Sequence, residues 1–248
     1  MPEPLALVLL HPFPLDADFW SAVRPALSAD RPVIACEFPG LGAAPAQAAP
    51  SIDGFADSVA ATIARECPGG RAVVCGLSLG GYAALALAAR HPERVTALVL
   101  ADTRAEDDTP DAREGRHASA ARVRAEGPAG FLDEFVPRLV AAGDDASLHA
   151  ARAIADAQEP EAIARALEAL AGRADRRPDL PAMAIPALVI VGEQDVLTPI
   201  ACSQTMVDGL PDAEMVVIAS GRDAGDVAFM ETEGWAHPIS QTVSVSQV

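Results

Sequence analysis

The stretch Val73-Val74-Cys75-Gly76-Leu77-Ser78-Leu79-Gly80-Gly81 sets a serine in G-x-S-x-G, directly after an apolar β-branched run and directly before an Ala-rich segment. These residue types at this spacing suit nucleophilic attack on a carbonyl carbon. A serine on a sharp strand-to-helix turn presents its hydroxyl at the carboxyl end of a sheet, and flanking glycines let neighbouring backbone pass without a Cβ clash. A helix beginning at Leu79 would aim its first N–H groups and its positive dipole end at the place where negative charge develops on a substrate oxygen. Ser78 is therefore the expected nucleophile, and the Leu79 N–H an expected oxyanion donor. The competing reading is a solvated serine in a glycine-rich turn, and the agreement of strand, glycines and helix weighs against it.

Such a turn needs a sheet to carry it. Short apolar runs alternate with longer Ala-rich segments along the chain, which predicts an α/β fold with a mostly parallel central sheet and helices on both faces. The expected strands are Leu5 to Leu10, Pro32 to Glu37, Ala72 to Gly76, Ala97 to Ala101, Ala187 to Gly192 and Met215 to Ala219. Asp18 to Ser28, Ile52 to Cys67 and Leu79 to Arg90 have the length and apolar spacing of amphipathic helices, the second capped by Ser51 or Asp53. Between Thr103 and Pro181 the strand signals stop. That segment reads as four helices broken at Gly127-Pro128, Gly143-Asp144 and Glu159-Pro160. The expected organisation is a core of residues 1–102 and 182–248 with a helical cap or lid inserted at 103–181; extra helical packing without a pocket is the alternative.

Composition narrows the function. In 248 residues there are 35 Asp and Glu against 18 Lys and Arg, a formal charge of −17. The basic residues are scattered arginines, so a phosphate-binding surface for nucleic acid is not expected. The run Leu5 to Leu10 follows Met-Pro-Glu-Pro with no positive charge and is too short to span a membrane, so it reads as a buried strand and not as a leader or anchor. Cys36, Cys67, Cys75 and Cys202 form no C-x-x-C pair and read as reduced thiols, which fits a cytoplasmic setting.

Taken with these elements, the serine motif resembles the α/β-hydrolase family, most closely its 3-oxoadipate enol-lactonase and carboxylesterase-like branch. Leu9-Leu10-His11-Pro12-Phe13-Pro14-Leu15 is similar to that family's first-strand H-G-F loop, with Pro12 in place of glycine. The resemblance implies that the Phe13 N–H is the second oxyanion donor and that His11 packs the loop. Leu188 to Pro199 is similar to the family's acid segment, in which a strand ends in G-x-x-D. This implies Asp195 as the residue that would hold an imidazole in the right tautomer; a turn aspartate is the alternative, and Asp102 is a second candidate for the acid.

The family's histidine follows the last core strand, often five residues before a glutamate. Here, aligning on Glu231 puts Asp226 at that position, and aligning on Val216-Val217-Ile218 puts Asp223 there. A carboxylate with an ordinary pKa near 4 accepts a serine proton poorly compared with an imidazole near 6.5. If Asp195 and Asp226 are adjacent, they are expected to share a proton. His237, and His117 and His149 in the helical insertion, are the histidines that could replace the base. The resemblance implies a hydrolase of a small carboxylic ester or lactone, impaired or using an unusual base, with no metal or organic cofactor. The aspartate leaves open an inactive hydrolase-fold protein that binds a small molecule or partner, or a non-hydrolytic reaction in the same fold.

Overall fold

The computed structural model describes residues 4–140 and 143–218. Among them, six strands form one parallel sheet: β1 (Ala6–Leu10), β2 (Val33–Cys36), β3 (Ala72–Leu77), β4 (Val95–Ala101), β5 (Ala187–Gly192) and β6 (Ala213–Ile218). Their spatial order is β2-β1-β3-β4-β5-β6. The chain turns from one direction of winding to the other between β1 and β3, and in open α/β sheets ligands bind outside the carboxyl ends of strands at such a switch point. The loop carrying Phe13 leaves β1 there, and Ser78 follows β3.

Each expected strand lies within two residues of an observed one. The continuous apolar runs are explained by burial on both faces of the sheet, the usual condition of parallel strands. Ala6, Val8 and Leu10 of β1 belong to the core that includes helices α2 (Ile52–Glu66) and α3 (Leu79–Arg90). Leu7 and Leu9 face the other way, onto Trp20, Val23 and Leu27. Helix α2 is opened by the Ser51 hydroxyl, which accepts from the Gly54 N–H at 3.0 Å.

One expected helix is broken. Residues 18–28 form a 3-10 turn at Ala17–Trp20 and a separate four-residue helix, α1 (Arg24–Leu27). Pro25 is the reason: it has no N–H to give to a preceding turn and disfavours helical geometry in the residue before it, so the helix restarts with proline in its first turn.

Between β4 and β5 lie α4 (Pro110–Glu126), α5 (Ala129–Phe135), α6 (Asp145–Asp156) and α7 (Pro160–Ala171). Thr109 and Asp144 cap α4 and α6 by accepting from the N–H groups of Ala112 and Ser147, and Gly127 ends α4 at φ 85°. Gln158 ties this block to the β1 side, its Nε2 donating to Asp16 at 2.8 Å and its Oε1 accepting from the Gly42 N–H at 2.9 Å. The remaining helix, α8 (Ile200–Gly209), connects β5 to β6. Among the described residues, no helix is long and apolar enough to cross a membrane.

Candidate active site

Ser78 joins β3 to α3 at φ 52°, ψ −110°, a backbone conformation that an L-residue holds only under constraint. The constraint is visible. The Ser78 N–H donates to the Ala101 carbonyl at 3.0 Å, and the Ser78 carbonyl accepts from the Thr103 hydroxyl at 2.8 Å. The neighbouring glycines allow the close approach: a Cβ on Gly76 would come within 2.3 Å of the Gly80 carbonyl oxygen, and one on Gly80 within 2.1 Å of the Leu10 carbonyl oxygen. Leu79, the first residue of α3, has an N–H with no acceptor inside the helix, so it is available to an incoming oxygen.

The side chain of Phe13 is buried against Phe131 and Phe135 of α5, with ring centroids 6.1 and 5.5 Å away. The helical insertion therefore fixes the loop expected to supply the second oxyanion donor. His11 anchors the same loop from below. Its Nδ1–H donates to the Pro12 carbonyl at 3.1 Å and its Nε2 accepts from the Phe38 N–H at 3.3 Å, an assignment forced because a carbonyl can only accept and an N–H can only donate. Burial drives its pKa down to about 4, so the ring stays neutral.

Asp195 lies just beyond β5 and is buried. Its Oδ1 accepts from the N–H groups of Leu197 and Thr198 at 2.6 and 2.9 Å, and its Oδ2 accepts from the Thr198 hydroxyl. These bonds hold the carboxylate rigidly in a turn. Asp102, at the end of β4, has φ 40°; its Oδ1 accepts from the Gly192 N–H at 2.9 Å and its own N–H donates to the Ile190 carbonyl. It thereby stitches the ends of β4 and β5 together.

Ser78, Asp102 and Asp195 all line one cavity of about 220 Å³, whose walls are mainly apolar. Pro12, Leu15 and Phe19 close it on the β1 side, and Leu139, Ala151 and Ile154 from the helical insertion cover it. Phe19 lines this cavity, whereas its neighbour Trp20 is buried in the core on the other face of the sheet. His117 and His149 are exposed on α4 and α6, and neither lines the cavity. Asp226, Asp223 and His237 lie outside the described residues. β6 ends at Ile218 opposite Gly192, at the same carboxyl edge as Ser78.

Sequence reading missed Thr103, whose hydroxyl braces the Ser78 turn, and Arg138, Leu197 and Ser147, which line the cavity. The one local signal was Asp102-Thr103 directly after an apolar strand, since aspartate tolerates the left-handed region better than most residues.

The family model described as alpha/beta hydrolase fold matches residues 6–144. The pimeloyl-[acyl-carrier protein] methyl ester esterase of Aromatoleum aromaticum is 34% identical, covering 98% of this chain and 97% of that protein. The protein of the same name from Neisseria meningitidis is 32% identical over 93% of this chain and 91% of that one. Among solved structures, a thermophilic esterase from Thermogutta terrifontis superposes with a TM-score of 0.86 at 31% identity, covering 97% of this chain and 88% of that one. The enol-lactonase from Burkholderia xenovorans gives 0.80 at 26% identity, covering 98% and 90%. With its strained serine turn on a parallel sheet and relatives of this likeness along nearly its whole length, the chain belongs to the α/β-hydrolase family.

Proposed function

We propose that the chain hydrolyses a carboxylic ester, with Ser78 as nucleophile, the N–H groups of Leu79 and Phe13 as oxyanion donors and Asp195 as the triad acid. The observation that carries this reading is Ser78 held at φ 52° at the head of α3 and opening into an apolar cavity. Ser78 Oγ attacks the ester carbonyl carbon and gives up its proton, and charge collects on the carbonyl oxygen at the N-terminus of α3. The bond to the alkoxide breaks as the base that took the serine proton returns it to the leaving oxygen, and water, giving a proton to the same base, then cleaves the acyl-serine to release the acid and restore Ser78. Helices α4 to α7 act as the lid that excludes solvent. The relatives' names point to a methyl ester on a medium-length acyl chain, and the cavity of about 220 Å³ suits an acyl group of modest size.

This scheme assigns the role of base to Asp226 on the sequence alignment alone, and a carboxylate is a weak proton acceptor. Turnover of a p-nitrophenyl short-chain ester, followed with burst kinetics and intact mass, is expected to vanish in Ser78→Ala and to rise about a hundredfold or more in Asp226→His. Unchanged hydrolysis in Ser78→Ala would overturn the proposal.

The aspartate also favours a second reading, a hydrolase-fold protein that binds its ligand without turnover. Binding of a methyl ester that is unaffected by Ser78→Ala, with no acyl-enzyme detected in the unaltered chain, would select it.

A further inference from the structure

Beside the cavity at Ser78 lies a second one of about 430 Å³. Its charged lining consists of four guanidiniums, Arg104, Arg116, Arg122 and Arg138, and two carboxylates, Asp108 and Glu134. On a chain with a formal charge of −17, a wall carrying two surplus positive charges reverses the local sign.

The packing shows how the arginines are held. The Asp108 side chain is fully buried and meets Arg116 Nε at 2.5 Å, Arg173 Nη1 at 2.7 Å and Arg104 Nη2 at 3.4 Å. One carboxylate thus gathers three guanidiniums and neutralises the charge of one. Arg104 Nε is buried without a hydrogen-bond partner among the described residues. Arg122 pairs with the exposed Glu134 at 2.9 Å, and Arg138 pairs with no carboxylate among the described residues. Guanidiniums in this state favour phosphate and carboxylate ligands, whose paired oxygens match the fork of N–H donors.

Arg138 and Leu197 line both cavities. An ester seated at Ser78 whose chain passes Leu197 would bring its far end to the arginines. We propose that the second cavity is an anion subsite for the distal end of the substrate, taking a phosphate or carboxylate group carried on the acyl chain. The proposal rests on the ester-hydrolase reading above and adds to it a requirement on the substrate's charge.

The test is equilibrium binding by calorimetry to the Ser78→Ala protein, using three methyl esters of one chain length that end in phosphate, carboxylate or a methyl group. Binding without turnover separates this proposal from the hydrolytic one. At least one anionic ester is expected to bind roughly tenfold or more tightly than the methyl-ended one. That preference is expected to disappear in Arg122→Gln/Arg138→Gln, a pair chosen because neither residue touches Asp108. A gain for one anion alone identifies the group recognised, and a gain for both shows recognition of charge. Equal affinity for all three esters, no measurable binding, or a preference that survives in the double variant would overturn the proposal. Hydrolysis of the methyl-ended ester by the unaltered chain, without an anion preference, would sink the subsite and leave the hydrolase intact.

Discussion

Ser78 sits where an L side chain is strained by roughly 1–3 kcal/mol, whereas glycine would relieve the strain at about 0.5–1 kcal/mol of extra unfolded-chain entropy. Ser78→Gly is therefore expected to raise stability by about 1 kcal/mol while removing the proposed nucleophile, seen as a higher denaturant midpoint in a protein with no ester turnover. Gly80→Ala should act in the opposite direction. Its Cβ would lie 2.1 Å from a backbone oxygen of β1, which no rotamer change can move aside. A loss of about 3 kcal/mol is expected, at the upper end of overpacking effects. His11 adds a pH dependence. Folded, it takes a proton only below about 4; unfolded, it does so below its ordinary 6.5. As pH falls through that window the unfolded chain binds the proton and the folded chain excludes it, so stability drops, by about 3 kcal/mol at the acid end. Denaturant unfolding from pH 7 to pH 4 should show this slope, and His11→Gln, which keeps an acceptor for the Phe38 N–H, should flatten it. Equal slopes in the two proteins would show that the ring does not control acid stability.

At the scale of elements, one buried carboxylate, Asp108, ties α4 and the segment after α7 to the chain that leaves β4, through Arg116, Arg173 and Arg104. Burial alone would raise the Asp108 carboxyl above its usual range, yet the guanidiniums of Arg116 and Arg173 hold it below. Arg173 is itself buried, with its guanidinium 4.6 Å above the Tyr82 ring of α3. Asp108→Asn leaves buried positive charge without its counter-ion, so a loss of about 3 kcal/mol is expected, together with earlier proteolysis between α4 and α7. None of this was legible in the sequence, where Asp108 is one acid in an acidic run. Legible elements were those with a local cause: apolar runs for strands, Ser51 capping α2, and glycine and proline breaks separating α4 to α7. Residues 18–28 were misread because an apolar period was followed through Pro25. Of the residues that line the cavity, Ser78 and Asp195 could be picked out as candidates because each follows a strand in a short motif. Thr103 and Arg138 could not, since Thr103 meets Ser78 across 25 residues of chain and Arg138 is placed between two cavities only by the fold.

Across the whole molecule, 35 acidic residues face 18 basic ones. Many arginines are already engaged at contact distance: Arg90 with Asp53 and Asp57, Arg124 with Glu161 and Glu168, Arg152 with Asp133 and Asp156. Such exposed pairs contribute about 0–1 kcal/mol each, and their charges lie inside one screening length, so salt weakens them less than it weakens interactions between distant charges. The surplus carboxylates repel one another over the width of the molecule. That range is comparable with the screening length of about 30 Å at 0.01 M salt and far outside the length of about 8 Å at 0.15 M. Adding salt therefore removes more repulsion than attraction, and the compact state gains. Tm should rise between these two salt concentrations, by roughly 2–4 °C for each kcal/mol of relieved repulsion in a chain of this size. A thermal melt at fixed pH reads the balance directly: a flat or falling Tm would mean that the contact pairs, and not the net charge, dominate the electrostatics of the fold.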